Sequence, residues 1–270
     1  MRRAKPDLVV LSGDFVQNGF RREFEEAQVF LRHVPRPWLA VPGNHDLPFT
    51  NILKRFTIGL DYYRHYISPD IEPFYQDPEI AVMGVNTARY LPLRGGRINH
   101  EQVEEIERRL CSMPQGVTRI LVTHHPFDLE EGTRRANLVG RARMAMGRLA
   151  QSVDILMAGH MHLSQAGHTG VRYMLNGASA VFVQAGTATS TRGKGEPNAF
   201  NLLRLDGPLL RIERHHWSSN RKDFECQCVD EFTLDRTAYC SSEADEDETR
   251  PKDVEVTYSN GHGEEDHDPA

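Results

Sequence analysis

Trp38-Leu39-Ala40-Val41-Pro42-Gly43-Asn44-His45-Asp46 is an apolar strand pattern that runs straight into a glycine and three polar side chains. The same design recurs on either side of it. Asp7-Leu8-Val9-Val10-Leu11-Ser12 ends in Gly13-Asp14, Arg119 to Thr123 ends in His124-His125-Pro126, and Asp154 to Met157 ends in Gly159-His160-Met161-His162. Short continuous apolar runs of this kind are expected of strands buried on both faces. Ile80 to Val85 reads as a further strand without a polar ending.

Helical patterns alternate with these strands. Phe24, Ala27, Leu31 and Val34 recur at helical spacing until Pro35 and Pro37 stop them. Asn99 has the character of an N-cap with Gln102 as its capping-box partner, and Val103, Ile106 and Leu110 form one apolar stripe. A third helix is expected from about Leu138 to Ala150, with Val139, Ala142, Met146 and Leu149 inward. After His162 only strand patterns follow, at Val171 to Leu175, Ala180 to Gln184, Phe200 to Leu205, Leu209 to His216 and Phe224 to Phe232. Alternation followed by strand after strand predicts an α/β fold of two stacked mixed sheets with helices outside. The stretch from Phe49 to Gln76 has no clean period.

Side chains at the C-terminal ends of neighbouring strands converge on one crevice, where α/β proteins place their ligands. A carboxylate, an amide oxygen and several imidazoles in one crevice suit manganese, iron, zinc or cobalt better than calcium. Taken singly, each residue has a plainer reading: Asp14 as a turn residue, Asn44-His45 as a turn, His125 as a packed histidine. Their joint occurrence at strand ends is what carries the metal-site reading. His160 and His162, at i and i+2 on an extended segment, would point to the same side.

Composition bounds the rest. With 270 residues, 39% hydrophobic and 26% charged, the chain can bury a full core, and no apolar run approaches the roughly 20 residues a membrane helix needs. No signal-peptide pattern opens the chain, so a cytoplasmic protein is expected. Of the net charge of −6, residues 243–270 carry −9, from 11 acidic and 2 basic residues, leaving +3 on the remainder. We therefore expect a folded domain over 1–240 and an acidic disordered tail over 241–270. The mildly basic body suits an anionic small molecule, and its charge is too weak a bias to argue for nucleic acid, which is not expected as a partner. Cys111, Cys226, Cys228 and Cys240 lack zinc-site spacing and read as reduced thiols.

Gly13-Asp14-Phe15-Val16-Gln17-Asn18-Gly19, Gly43-Asn44-His45-Asp46, His124-His125-Pro126 and Gly159-His160-Met161-His162 resemble successive signature blocks of the calcineurin-like metallophosphoesterases. Within that superfamily the chain looks most like the bacterial cyclic-nucleotide phosphodiesterases. The resemblance implies a four-layer α/β/β/α sandwich and two divalent transition metal ions (Mn, Fe, Zn or Co). It implies hydrolysis of a small phosphodiester or phosphomonoester, cyclic nucleotides among them. Asp14 would bridge two metals, Asn44, His124 and His160 would complete one site, and His162 would belong to the other. His124 is chosen over His125 because the family pattern reads His-x-Pro. His45 would act on the leaving-group oxygen, with Asp46 orienting it.

The chain departs from the family at one place. The family opens with an Asp-x-His block at the end of an earlier strand, and nothing from Met1 to Ser12 matches it. One site thus keeps Asp14, Asn44, His124 and His160, while the other keeps only Asp14 and His162. We expect the natural protein to be longer and to carry the missing strand and block. The alternative is a catalytically impaired, metal-binding scaffold.

Overall fold

The computed structural model describes residues 3–49, 51–91, 95–129, 137–171, 173, 179–190 and 196–234. Its centre is a six-stranded mixed sheet of β3 (Phe74–Gln76), β4 (Ile80–Gly84), β5 (Thr118–Val122), β6 (Ile155–His162), β8 (Val181–Gly186) and β7 (Gln165–His168), in that order. The four middle strands, β4, β5, β6 and β8, are parallel. Their register aligns Val82, Ile120, Ile155 and Val181 in one row.

That row faces one side of the sheet, and its chain neighbours face the other. Val82, Ile120, Val122, Ile155, Val181 and Val183 pack into one apolar cluster. Ala81, Met83, Leu121, Leu156 and Phe182 pack into a second. The strict alternation of these two sets shows a sheet buried on both faces, which is why its strands read as unbroken apolar runs. The second cluster includes the apolar stripes of α4 (His100–Cys111) and α5 (Ala142–Leu149).

The other face meets a second layer made of two pieces. β1 (Val9–Leu11) and β2 (Trp38–Ala40) form a parallel pair, and β9 (Ala199–Asp206), β10 (Leu209–Ser218) and β11 (Asp223–Thr233) form an antiparallel sheet. Leu39, Leu210, Ile212 and Leu234 share the inter-layer cluster. Outside β1 and β2 lie α1 (Arg21–Leu31) and α3 (Asp61–Tyr66), packed through Phe24, Leu31, Leu60 and Tyr63. The result is a mixed α/β fold with helices on both outer sides of stacked sheets. Among the described residues the second layer is two ladders, one of two strands and one of three, stacked on the six-stranded sheet.

Other differences have local causes. The third helix begins at Ala142, because Arg141 is left-handed (φ 68°) and Val139 and Gly140 donate their N–H groups to Pro126 and Gly96 instead. The aperiodic stretch holds α2 (Ile52–Thr57), α3 and β3, and six-residue helices are too short to display a period. A 3-10 turn covers Thr169–Val171 and β7 precedes it, so Val171 opens no strand, and most of the strand expected from there to Leu175 falls outside the described residues. Residues 172 and 174–178, like the acidic segment 241–270, lie outside the described residues. Cys226 and Cys228 are free thiols, whereas Cys111 is disulfide-bonded, contrary to the expectation of reduced thiols throughout. No described helix is long and apolar enough to cross a membrane.

Candidate metal centre

The C-terminal ends of β1, β2, β5 and β6 bring four polar side chains to one point. Nε2 of His124 lies 3.2 Å from Oδ1 of Asn44 and 3.3 Å from Oδ2 of Asp14. Nδ1 of His160 lies 3.1 Å from the same Asn44 oxygen and 3.3 Å from His124 Nε2. Asn44 and His124 are fully buried.

The proton inventory of this group points to a cation. Nδ1 of His124 is 2.7 Å from the carbonyl oxygen of Ser12, which only accepts, so Nδ1 carries the hydrogen. A neutral His124 then turns the Nε2 lone pair toward an amide oxygen and a carboxylate, acceptor against acceptor. A divalent cation satisfies all of them at once, and a ring nitrogen held on a carbonyl is the usual outer support of a metal-binding histidine. The two nitrogens and two oxygens match the preference of first-row transition metals. The Nδ2 of Asn44 is buried without a hydrogen-bond partner among the described residues, so the local bonds of this side chain are made by its oxygen.

The charges of these side chains act strongly on one another. Burial pushes the Asp14 carboxyl up, but His124 and His45 outweigh it and hold the group well below the usual carboxylate range. Burial pulls His124 down, yet Asp14, the Ser12 carbonyl and Asp46 together raise it above its ordinary value.

Backbone geometry is unusual at three of the expected ligands. Asp14, His160 and His162 all have positive φ, at 59°, 71° and 62°. Such conformations cost non-glycine residues on the order of 1 kcal/mol each and gather at functional sites. The segment carrying His160 and His162 is therefore no simple extended strand: the β6–β8 register shifts between Ala158 and His162. Gly43 permits the close approach of the two loops, since a Cβ there would overlap Oδ1 of Asp14 and lie 2.5 Å from its backbone nitrogen.

His125 joins the group in a way the sequence did not suggest. Among the described residues, ligand atoms of His124, His125 and His160 all lie within 4.8 Å of one another. Nδ1 of His125 is 2.9 Å from Oγ1 of Thr87, and its ring sits 4.6 Å from that of His160. A Cβ at Gly96 would overlap the His125 ring. The one sequence signal for this placement was the glycine pair at 95–96. His162 is half-buried and stands outside this group of three.

His45 lies beside the centre, with its backbone N–H donating to Oδ1 of Asp14 at 2.9 Å. Its ring Nδ1 donates to the Gln17 carbonyl at 2.7 Å, and the ring stacks on Phe49 at 5.2 Å. Those two contacts set its orientation. Asp46 is engaged elsewhere: its carboxylate accepts from the backbone N–H groups of Gly43, Asp14, Phe15 and Val16, at 2.8 to 3.3 Å. It buckles the Gly13 and Gly43 loops together. Burial and the Asp14 charge push its carboxyl up to about 7, against the pull of those donors. Arg89, in the loop before α4, is turned onto Asn86, Ala88 and Gln102.

The family model for calcineurin-like phosphoesterases matches residues 1–164, which contain all of these side chains. The chain belongs to the calcineurin-like phosphoesterase family. A curated relative in Arcobacter nitrofigilis, named a probable glycerophosphodiester phosphodiesterase GpdQ, is 29% identical over 166 residues, covering 59% of this chain and 58% of that protein. Another in Synechococcus, named a probable cyclic nucleotide phosphodiesterase, is 25% identical over 172 residues, covering 60% of each. The aligned part thus spans less than two thirds of these relatives. Among solved structures, Vps29 of Chaetomium thermophilum superposes with a TM-score of 0.40 at 10% identity over 86% of this chain and 84% of that one, a likeness too loose to bear weight.

Proposed function

We propose that this calcineurin-like phosphoesterase hydrolyses a small phosphoester, a phosphodiester foremost, with a transition metal held by Asp14, Asn44, His124 and His160. The observation that carries this reading is the convergence of two imidazole nitrogens, an amide oxygen and a carboxylate oxygen within 3.1 to 3.3 Å steps. The names of the two relatives favour a phosphodiester, and the second adds cyclic nucleotides as candidates.

A bound cation of the Mn, Fe, Zn or Co type would supply Lewis acidity and positive charge to a phosphate. The chain supplies the rest. His45, its Nδ1–H fixed on Gln17 and its ring on Phe49, leaves Nε2 as the edge for proton exchange with the departing oxygen. Asp46 keeps the Asp14 and Asn44 loops in register without touching substrate. In a dinuclear form of the centre, Asp14 and His162 would contribute to the second ion.

The test is hydrolysis of bis(p-nitrophenyl) phosphate by the 270-residue chain and by a form extended upstream, each with Mn²⁺ and after chelation. Metal-dependent turnover lost in His45→Ala supports the reading. A second reading keeps the described group of His124, His125 and His160 as a single-ion site: one metal per chain and a binding role. It is favoured if the chain takes up a single ion and neither form turns over any phosphoester.

A further inference from the structure

His160 and His162 both hold left-handed backbone conformations within the six-residue segment 159–164. Strained residues persist only where their surroundings over-determine them. The surroundings here are specific. At the upstream end, the Gly159 N–H donates to the His124 carbonyl at 3.0 Å, and the Gly159 carbonyl accepts from Nε2 of the buried Gln184 on β8.

The downstream end is held at three atoms of one buried residue, Ser164. Its N–H donates to Glu196 at 3.3 Å, its hydroxyl donates to Oδ1 of Asn201 at 2.7 Å, and its carbonyl accepts from Arg214 at 2.9 Å. The two ends are joined: Nδ2 of Asn201 donates to the Gln184 carbonyl at 3.0 Å, and Arg214 pairs with Asp230 at 2.7 Å. Gln184, Glu196, Asn201, Arg214 and Asp230 all lie beyond residue 164, where the family match stops.

We propose that β8 and the β9–β11 sheet act as a clamp on segment 159–164, with Gln184, Asn201 and Arg214 as positioning residues for His160 and His162. The clamp rests on the reading of Asp14, Asn44, His124 and His160 as metal ligands. It makes the C-terminal third of the fold part of the metal centre's support. A ligand that must hold a disfavoured backbone conformation loses its aim when either end of its segment slackens, even though none of these three residues touches the ion.

The experiment is a Co²⁺ titration of the metal-free full chain, followed by calorimetry and by visible absorption of the bound ion, alongside a thermal melt of each metal-free variant. Arg214→Met and Asn201→Ala should weaken Co²⁺ binding by about 10- to 100-fold and shift its absorption bands. Arg211→Met, on the same strand but paired outward with Glu231, should leave affinity within about twofold of the native chain. Arg214→Lys and Asn201→Asp, which each keep part of the bonding, should fall between, and they serve if the harsher variants do not fold. Folded variants at 201 and 214 that bind Co²⁺ with native affinity and spectrum overturn the clamp alone. A native chain that binds no Co²⁺ overturns the ligand reading and the clamp with it.

Discussion

The carbonyl oxygen of Ser12 sits 2.7 Å from Nδ1 of His124, so a carbonyl just past the end of β1 decides which nitrogen of a histidine just past the end of β5 faces the metal centre. Because the carbonyl cannot donate, the hydrogen stays on Nδ1 and Nε2 is left for a cation or a second proton.

That choice gives a pH dependence. Burial pulls His124 down, but Asp14 and the Ser12 carbonyl win and raise it above the ordinary 6.5. In the metal-free chain this group's stabilising contribution is therefore fully present below 6.5 and is lost as pH rises through the raised value. Metal binding runs the opposite way, since the ion must displace that second proton. Calorimetric titration with Co²⁺ should show affinity falling about tenfold per pH unit below the raised value, and His124→Asn should abolish that dependence along with most of the affinity.

Asp46→Asn tests the buckle between the two loops. Four backbone N–H groups converge on this carboxylate. An amide turns one oxygen into a donor and leaves some of them without an acceptor. Urea unfolding should report a loss of about 1–3 kcal/mol.

Two glycines should respond with opposite signs. A Cβ at Gly43 meets the backbone of Asp14, so Gly43→Ala should cost about 1–3 kcal/mol and weaken metal binding. A Cβ at Gly147, inside α5, meets nothing within 4 Å. Gly147→Ala should stabilise by about 0.5–1 kcal/mol, read from the same urea unfolding, and leave metal binding alone.

His45→Ala should lower kcat on bis(p-nitrophenyl) phosphate by about 10²–10⁴-fold while Co²⁺ affinity stays near native. Phe49→Leu removes the ring beneath His45 and should give a smaller loss of the same kind. Equal losses of metal binding and turnover in His45→Ala would instead make His45 part of the metal's support.

The parallel core was legible because Val82, Ile120, Ile155 and Val181, and the residues between them, are buried on two faces and so leave continuous apolar runs. Asp14, Asn44, His124 and His160 were legible as a set because each stands at or just past the C-terminal end of a strand. His125 was not, since its place depends on Thr87 and Gly96, both from a loop distant in sequence. The family resemblance implied Asp46 as a partner for His45, yet the N–H groups around it come mainly from residues 14–16, some thirty positions away. The left-handed backbone at His160 and His162 carries only a weak residue-type signal, since histidine is enriched there among non-glycine residues yet mostly adopts negative φ.

That backbone has a bearing on protein engineering. Glycine is the residue that positions 160 and 162 would favour on conformational grounds, by about 1 kcal/mol each. A library screened only for heat tolerance would thus be drawn toward deleting these two imidazoles, and a hardened scaffold obtained that way would have shed part of its chemistry. Selection on this chain has to reward ion uptake and endurance together.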